Sequence, residues 1–156
     1  MPSYDDAMGV ALEEAQFALA TSDVPVGAVV VDAAGAIVAR GRNRRETDGD
    51  PTAHAEVLAL RAAAQTLGAW RLTGCTLVVT LEPCAMCAGA IVLARVDRVV
   101  YAADDPKAGA AGSVWDLVRD PRANHRPELV RGVRAEEAGD LLRSFFSSRR
   151  APAGDR

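Results

Sequence analysis

Histidine, cysteine and lysine are scarce in this chain of 156 residues: two His, three Cys and one lysine, Lys107, against 17 arginines. So few cysteines exclude a disulfide scaffold. In a reducing compartment they point to core packing, metal binding or catalysis before bridges. No apolar run reaches the length of a membrane span. The first residues, Met1-Pro2-Ser3-Tyr4-Asp5-Asp6, are acidic and lack a basic stretch followed by an apolar one, so no signal peptide and a cytoplasmic location are expected. Internal repeats and long linkers are absent as well. What is present is ordinary for a globular chain, 49% hydrophobic and 25% charged residues, which excludes disorder and collagen-like repeats. The length predicts a single domain over residues 1–156. Such a chain buries roughly 68–70% of its unfolded surface and needs no metal merely to fold.

The net charge of −3 hides a gradient. Residues 1–39 hold six acids and no base, residues 40–118 balance, and residues 119–156 hold nine arginines against six acids. Charge alone favours a solvated, arginine-biased surface. The cluster Arg40, Arg42, Arg44, Arg45 and the basic end can nevertheless form a local phosphate-attracting face.

Hydrophobic periodicity predicts a helix over residues 5–20, with Ser3 as its cap and Met8, Ala11, Leu12, Ala15 and Leu19 as its apolar stripe. Strands are expected at 26–32 and 36–42, joined by the hairpin loop Ala33-Ala34-Gly35. The run Val29-Val30-Val31 suits a strand covered on both faces. A helix at 53–67 stops at Gly68. A strand at 76–80, a helix at 84–94 and a strand at 97–101 follow. Residues 102–112 read as loop, 113–118 as a short helix, 128–133 as a strand and 135–148 as a last helix with Leu141, Leu142 and Phe145 inward. Residues 149–156 are expected to fray. The alternation predicts an α/β class, with helices on both faces of one mixed sheet.

Two short motifs carry chemistry. His54-Ala55-Glu56 begins one predicted helix, and Pro83-Cys84-Ala85-Met86-Cys87 begins the next. Pro83 suits a first helical turn. Cysteines three apart share a helix face, and a helix N-terminus favours thiolate. Two thiolates and one imidazole make a three-ligand zinc site whose fourth position is open to water. Zinc with two thiolates and a neutral His sums to zero charge. That leaves the catalytic water as the group to be deprotonated, at a pKa of about 7. Glu56 is placed to take the proton without binding the metal. Cys-x-x-Cys also fits a redox pair, or half of a structural site closed by Cys75 and His54. Cys75, on or beside a strand, is more simply a buried apolar residue. His125 reads as a surface or hydrogen-bonding residue.

Together the two motifs resemble the zinc-dependent cytidine deaminase superfamily, for which His-x-Glu with Pro-Cys-x-x-Cys is the known signature. Further stretches resemble its bacterial tRNA-specific adenosine deaminases. They include Val24-Pro25-Val26-Gly27, Asn43-Arg44, Thr80-Leu81-Glu82-Pro83-Cys84, Asp105-Pro106-Lys107, Gly109-Ala110-Ala111-Gly112-Ser113, Asn124-His125 and Phe145-Phe146 with Arg149-Arg150. The resemblance runs from about residue 5 to residue 150. It implies a three-layer α/β/α domain with a five-stranded mixed sheet, working as a homodimer. It implies deamination of the wobble adenosine in a tRNA anticodon stem-loop to inosine, with one zinc per subunit held by His54, Cys84 and Cys87. Zinc-borne hydroxide would attack C6 of adenine while Glu56 shuttles protons. Asn43 matches a base-contacting residue and Asp105 a contact to the preceding nucleotide, with Lys107 beside it. Phe146, Arg149 and Arg150 match the part of the last helix that meets the anticodon loop. Ala102, Asp104 and Ala108 depart from the family's pattern. A deaminase of free bases and a non-catalytic zinc-stabilised RNA-binding subunit are the rival readings. Glu56 disfavours the second, since a structural zinc site has no use for that acid.

Overall fold

A computed structural model describes residues 4–149. The expected Ser3 cap, Arg150 and the rest of the tail lie outside the described residues. The apolar run at the first hairpin becomes β1 (Gly27–Val31), paired antiparallel with β2 (Ile37–Arg42). β1 also pairs antiparallel with β3 (Thr76–Leu81), which runs parallel to β4 (Arg98–Ala103). β4 in turn runs parallel to β5 (Glu128–Arg131). The result is the five-stranded mixed sheet in the order β2-β1-β3-β4-β5.

Alternation along the strands feeds two cores. Val29, Val31, Val78 and Val100 point to one face, where Met8, Ala11 and Leu12 of α1 (Tyr4–Leu19) and Ala138 of α5 (Ala135–Arg149) cover them. Ala28, Val30, Leu77, Val79, Val99 and Tyr101 point to the other. There they meet Ala59 and Leu60 of α3 (Ala55–Leu67) and Ala88 and Ile91 of α4 (Ala85–Ala94). These are the three expected layers. α3 lies unusually close to β2: a Cβ on Gly41 would fall 2.5 Å from the Ala55 carbonyl oxygen and 2.7 Å from the Ala59 amide nitrogen. Only glycine permits this approach, which fixes where α3 begins. Among the described residues, no helix is long and apolar enough to cross a membrane.

Four local features differ from the sequence reading. Residues 113–118 form no helix: the Leu117 amide, which a helix would give to the Ser113 carbonyl, goes to the Ala110 carbonyl at 2.9 Å, and the chain folds back through an Ala111–Asp116 bridge. A helical turn, α2 (Arg45–Asp48), appears inside the arginine cluster instead. Pro83 sits one residue before the helix cap rather than in the first turn, because Cys84 itself is the cap of α4. Arg149, expected to fray, is the last residue of α5 and donates to the Ser22 carbonyl at 2.8 Å. The arginine cluster is also mostly paired within the chain. Arg40 faces Glu13 at 4.0 Å, Arg42 faces Glu14 at 3.4 Å and Arg44 faces Asp48 at 3.0 Å.

α2 owes its existence to a buried acid from a distant turn. Asp23 is fully buried and accepts from the Thr21 and Thr47 hydroxyls and the Glu46 amide, each at 2.6 Å. Burial alone would raise its pKa, but these donors outweigh burial and hold the carboxyl below its ordinary range. Asp23→Asn should lower stability by about 1.5–3 kcal/mol at pH 7, the scale of a hydrogen bond to a charged group. A depressed carboxyl pKa stabilises the fold above the unfolded value and loses that contribution as pH falls through the folded one. Urea midpoints of wild type and Asp23→Asn should therefore converge as pH drops below about 4. A gap that stays constant down to pH 3 would contradict this.

Candidate metal centre

Two helix N-termini meet on the same face of the sheet. His54 is the cap of α3, with φ −79° and ψ 149°, and Cys84 is the cap of α4, with φ −76° and ψ 178°. Caps are usually Ser, Thr, Asp or Asn, whose oxygens bond back to the first turn. Neither His54 nor Cys84 makes such a bond, so both side chains are free to turn toward each other. Cys87, one turn into α4, completes the group. His54 Nδ1 lies 3.6 Å from Cys84 Sγ and 3.5 Å from Cys87 Sγ. All three donor atoms fall within 4.8 Å of one another.

This spacing fits a metal. Tetrahedral zinc with its usual Zn–S and Zn–N bond lengths places sulfur and nitrogen about 3.6 Å apart. Without a cation, the donors gather around one negative charge. The hydrogen bond from Cys87, and then that with His54, draw the Cys84 thiol down to about 3. The same bond to Cys84, together with burial, pushes the Cys87 thiol up, so it keeps its proton. His54 is raised mainly by its hydrogen bond to Cys84. A divalent cation would remove the reason for that sharing and make both sulfurs thiolates. Zinc is therefore the cofactor this set is built for.

Glu56 lies in the first turn of α3, 4% exposed and outside the donor group. Burial pushes its carboxyl up to about 7, against the pull of a backbone hydrogen bond and of His54. A buried carboxyl with that balance can both take and give a proton near neutral pH. Cys75 packs in the core, where burial raises its thiol pKa, and it is not one of the donors. His125 is tied through Nε2 to the Val96 carbonyl, 2.7 Å away. The closed structural site has no support in this arrangement.

His54 and Cys84 line a cleft of about 1220 Å³. Its lining also includes Asn43, Arg45, Glu56, Asp105 and Lys107, together with Phe146 and Arg149 of the last helix. Cys87 is fully buried. Asn43 is held by a bond to the Val24 carbonyl at 3.2 Å and one from the Arg45 amide at 3.1 Å. Asp105 accepts from the Lys107 and Ala108 amides at 3.0 and 3.2 Å. Phe146 stands 47% exposed, edge-on to Phe145, over which the Arg149 guanidinium stacks at 4.6 Å. Arg143, not singled out from sequence, also lines the cleft, as does Arg45 of the arginine cluster. Two buried acids, Asp23 and the cleft-lining Glu82, were not singled out from sequence either. For Glu82 the signals were its place in the resembling stretch Thr80-Leu81-Glu82-Pro83-Cys84 and an acid that directly follows a buried strand.

Comparison with known proteins agrees with this geometry. The model of the cytidine and deoxycytidylate deaminase zinc-binding region matches residues 1–103. The tRNA-specific adenosine deaminase of Bacillus subtilis is 50% identical over 89% of this chain and 86% of its own length. A tRNA(Ile)-lysidine synthase of Deinococcus deserti is 53% identical over 94% of this chain, which spans only 27% of that longer protein. Among solved structures, one from a study of A-to-I editing by tRNA:A34 deaminases superposes with a TM-score of 0.84 and 43% identity. It covers 88% of this chain and 99% of that one. The chain therefore belongs to the zinc-binding cytidine and deoxycytidylate deaminases, in the branch that holds the bacterial tRNA-specific adenosine deaminases.

Proposed function

We propose that this chain is a hydrolase that converts the wobble adenosine of a tRNA anticodon stem-loop to inosine. The observation that carries the reading is the union of one zinc donor set, one buried carboxyl beside it and a cleft larger than a nucleoside needs. Half the residues of a tRNA-specific adenosine deaminase are retained along nearly the whole chain.

His54, Cys84 and Cys87 would hold the ion. Bound there, zinc supplies a Lewis-acidic open position that makes water nucleophilic near neutral pH. Glu56 takes the proton released as water adds to C6 and delivers it to N1 of the purine. It then carries the second proton to the amine that departs as ammonia, so adenosine and water balance inosine and ammonia. Asn43, fixed by its two backbone bonds, borders the base. Asp105 faces the preceding nucleotide. Lys107 and Arg149 meet backbone phosphates, and Phe146 offers a stacking surface for an unpaired base. Arg150, outside the described residues, is assigned to the same contact by resemblance alone. An unpaired loop base costs less to extrude than a duplex base, which suits an anticodon loop. The working unit is a homodimer in the cytoplasm. The large exposed side chains Met86, Leu93 and Trp115 are apolar surface that a second copy would cover.

The purified zinc-loaded chain should form inosine on an arginine tRNA anticodon stem-loop carrying unmodified adenosine at the wobble position. Faster turnover of free guanine or cytosine than of the RNA would favour the free-base reading instead. Glu56→Ala should keep zinc and RNA binding but lose about 10²–10⁴ in rate. Surviving activity would remove Glu56 from its role. Metal analysis should find one zinc per chain in Cys75→Ala and almost none in Cys87→Ala. Loss of zinc from Cys75→Ala would revive a structural site closed by that residue.

A further inference from the structure

Glu82 is 2% exposed, and its carboxylate receives four hydrogen bonds from residues 105–113. The Asp105 and Ala111 amides donate at 3.0 Å, the Ser113 amide at 3.1 Å, and the Ser113 hydroxyl makes a further short contact. None of these donors is a cation. A buried carboxylate is costly unless its lone pairs are filled, and bonds to an ionised acceptor are roughly twice as strong as neutral ones. Amides from three separated positions of one loop, Asp105, Ala111 and Ser113, turn toward one centre and would suit an anion. Here the chain supplies its own anion to fill it.

The fit leaves no slack. A Cβ on Gly109 would lie 2.4 Å from the Glu82 carboxyl carbon. The Ala110 amide adds a bond to the Pro83 carbonyl at 2.8 Å, and the Tyr101 hydroxyl donates at 2.8 Å to Asp104, the residue just before the stretch. The ordered wall is the one that bears Asp105 and Lys107, and Glu82 lies two residues before Cys84. We infer that Glu82 is a positioning residue, which holds residues 105–113 against the turn bearing Cys84 so that the cleft wall is formed before substrate arrives. Preorganisation of this sort lowers the cost of binding rather than the barrier to chemistry. This inference rests on the cleft being the RNA site.

The test uses the full zinc-loaded chain and the arginine tRNA anticodon stem-loop. In Glu82→Gln the amide group of the side chain faces N–H donors and cannot accept all of them. KM should rise about tenfold while kcat falls less than threefold, the signature of binding energy lost uniformly. Zinc should remain at one per chain, and the Asp105, Ala111 and Ser113 amides should exchange hydrogen faster. A merely structural role would shrink the active fraction, lowering kcat with KM unchanged, and that result would overturn the inference. So would faster exchange with unchanged KM. If Glu82→Gln does not fold, Ser113→Ala keeps the carboxylate and removes one donor. It should raise KM about threefold with the same split, and an unchanged KM there also counts against the inference. A wild-type chain inactive on the stem-loop would sink the proposed function. Amide exchange alone would then decide the wall: faster in Glu82→Gln supports it, unchanged overturns it.

Discussion

The site depends on two helices whose first residues do not cap them. At the start of α3 and of α4, a Ser or Asp would contribute about 1 kcal/mol by bonding back to the first turn. His54 and Cys84 occupy those positions without such bonds, and their side chains converge on each other and on Cys87. The fold gives up two small local contributions to create one point where nitrogen and sulfur meet. The positive ends of both helices then favour the thiolate charge that a metal requires. The close contact at Gly41 belongs to the same constraint, because it fixes the position of α3 against β2 and hence of His54.

Around that point, two stretches of the cleft lining are secured in the same way by unrelated segments. Asp23 gathers two threonine hydroxyls and an amide, and so builds the α2 turn that begins at Arg45. Glu82 gathers three amides and a hydroxyl from residues 105–113. Both are buried acids satisfied by neutral donors rather than by arginine, in a chain with 17 arginines available. Neutral donors fix backbone positions directly, whereas an arginine at the end of a long side chain would fix only its own head group. Arginines pair instead on the surface, as Arg40 and Arg44 do, where such pairs contribute little.

The fold and the metal set were legible because their signals are local. Val29-Val30-Val31, Gly68 and the Cys84/Cys87 spacing state their roles within a few residues. The misread segments are those governed from far away in the chain. The α2 turn is held by Asp23, across some twenty residues, and the loop that folds back at 111–116 is anchored by Glu82, across some thirty. Periodicity cannot report a donor that has been captured by a remote carboxylate. The arginine cluster shows the same limit: its composition suggested a phosphate-binding face, but three of its four members face acids on α1 or α2, and only Arg45 lines the cleft.

The single lysine has a practical corollary. Lys107 is exposed and lines the cleft, so a reagent that couples side-chain amines meets a single one, at the cleft. Attachment to a solid support through that group would obstruct the cleft. A small fluorophore placed there would instead report on whatever enters it. The arginine bias of the chain thus leaves one side-chain amine, and it sits in the cleft lining.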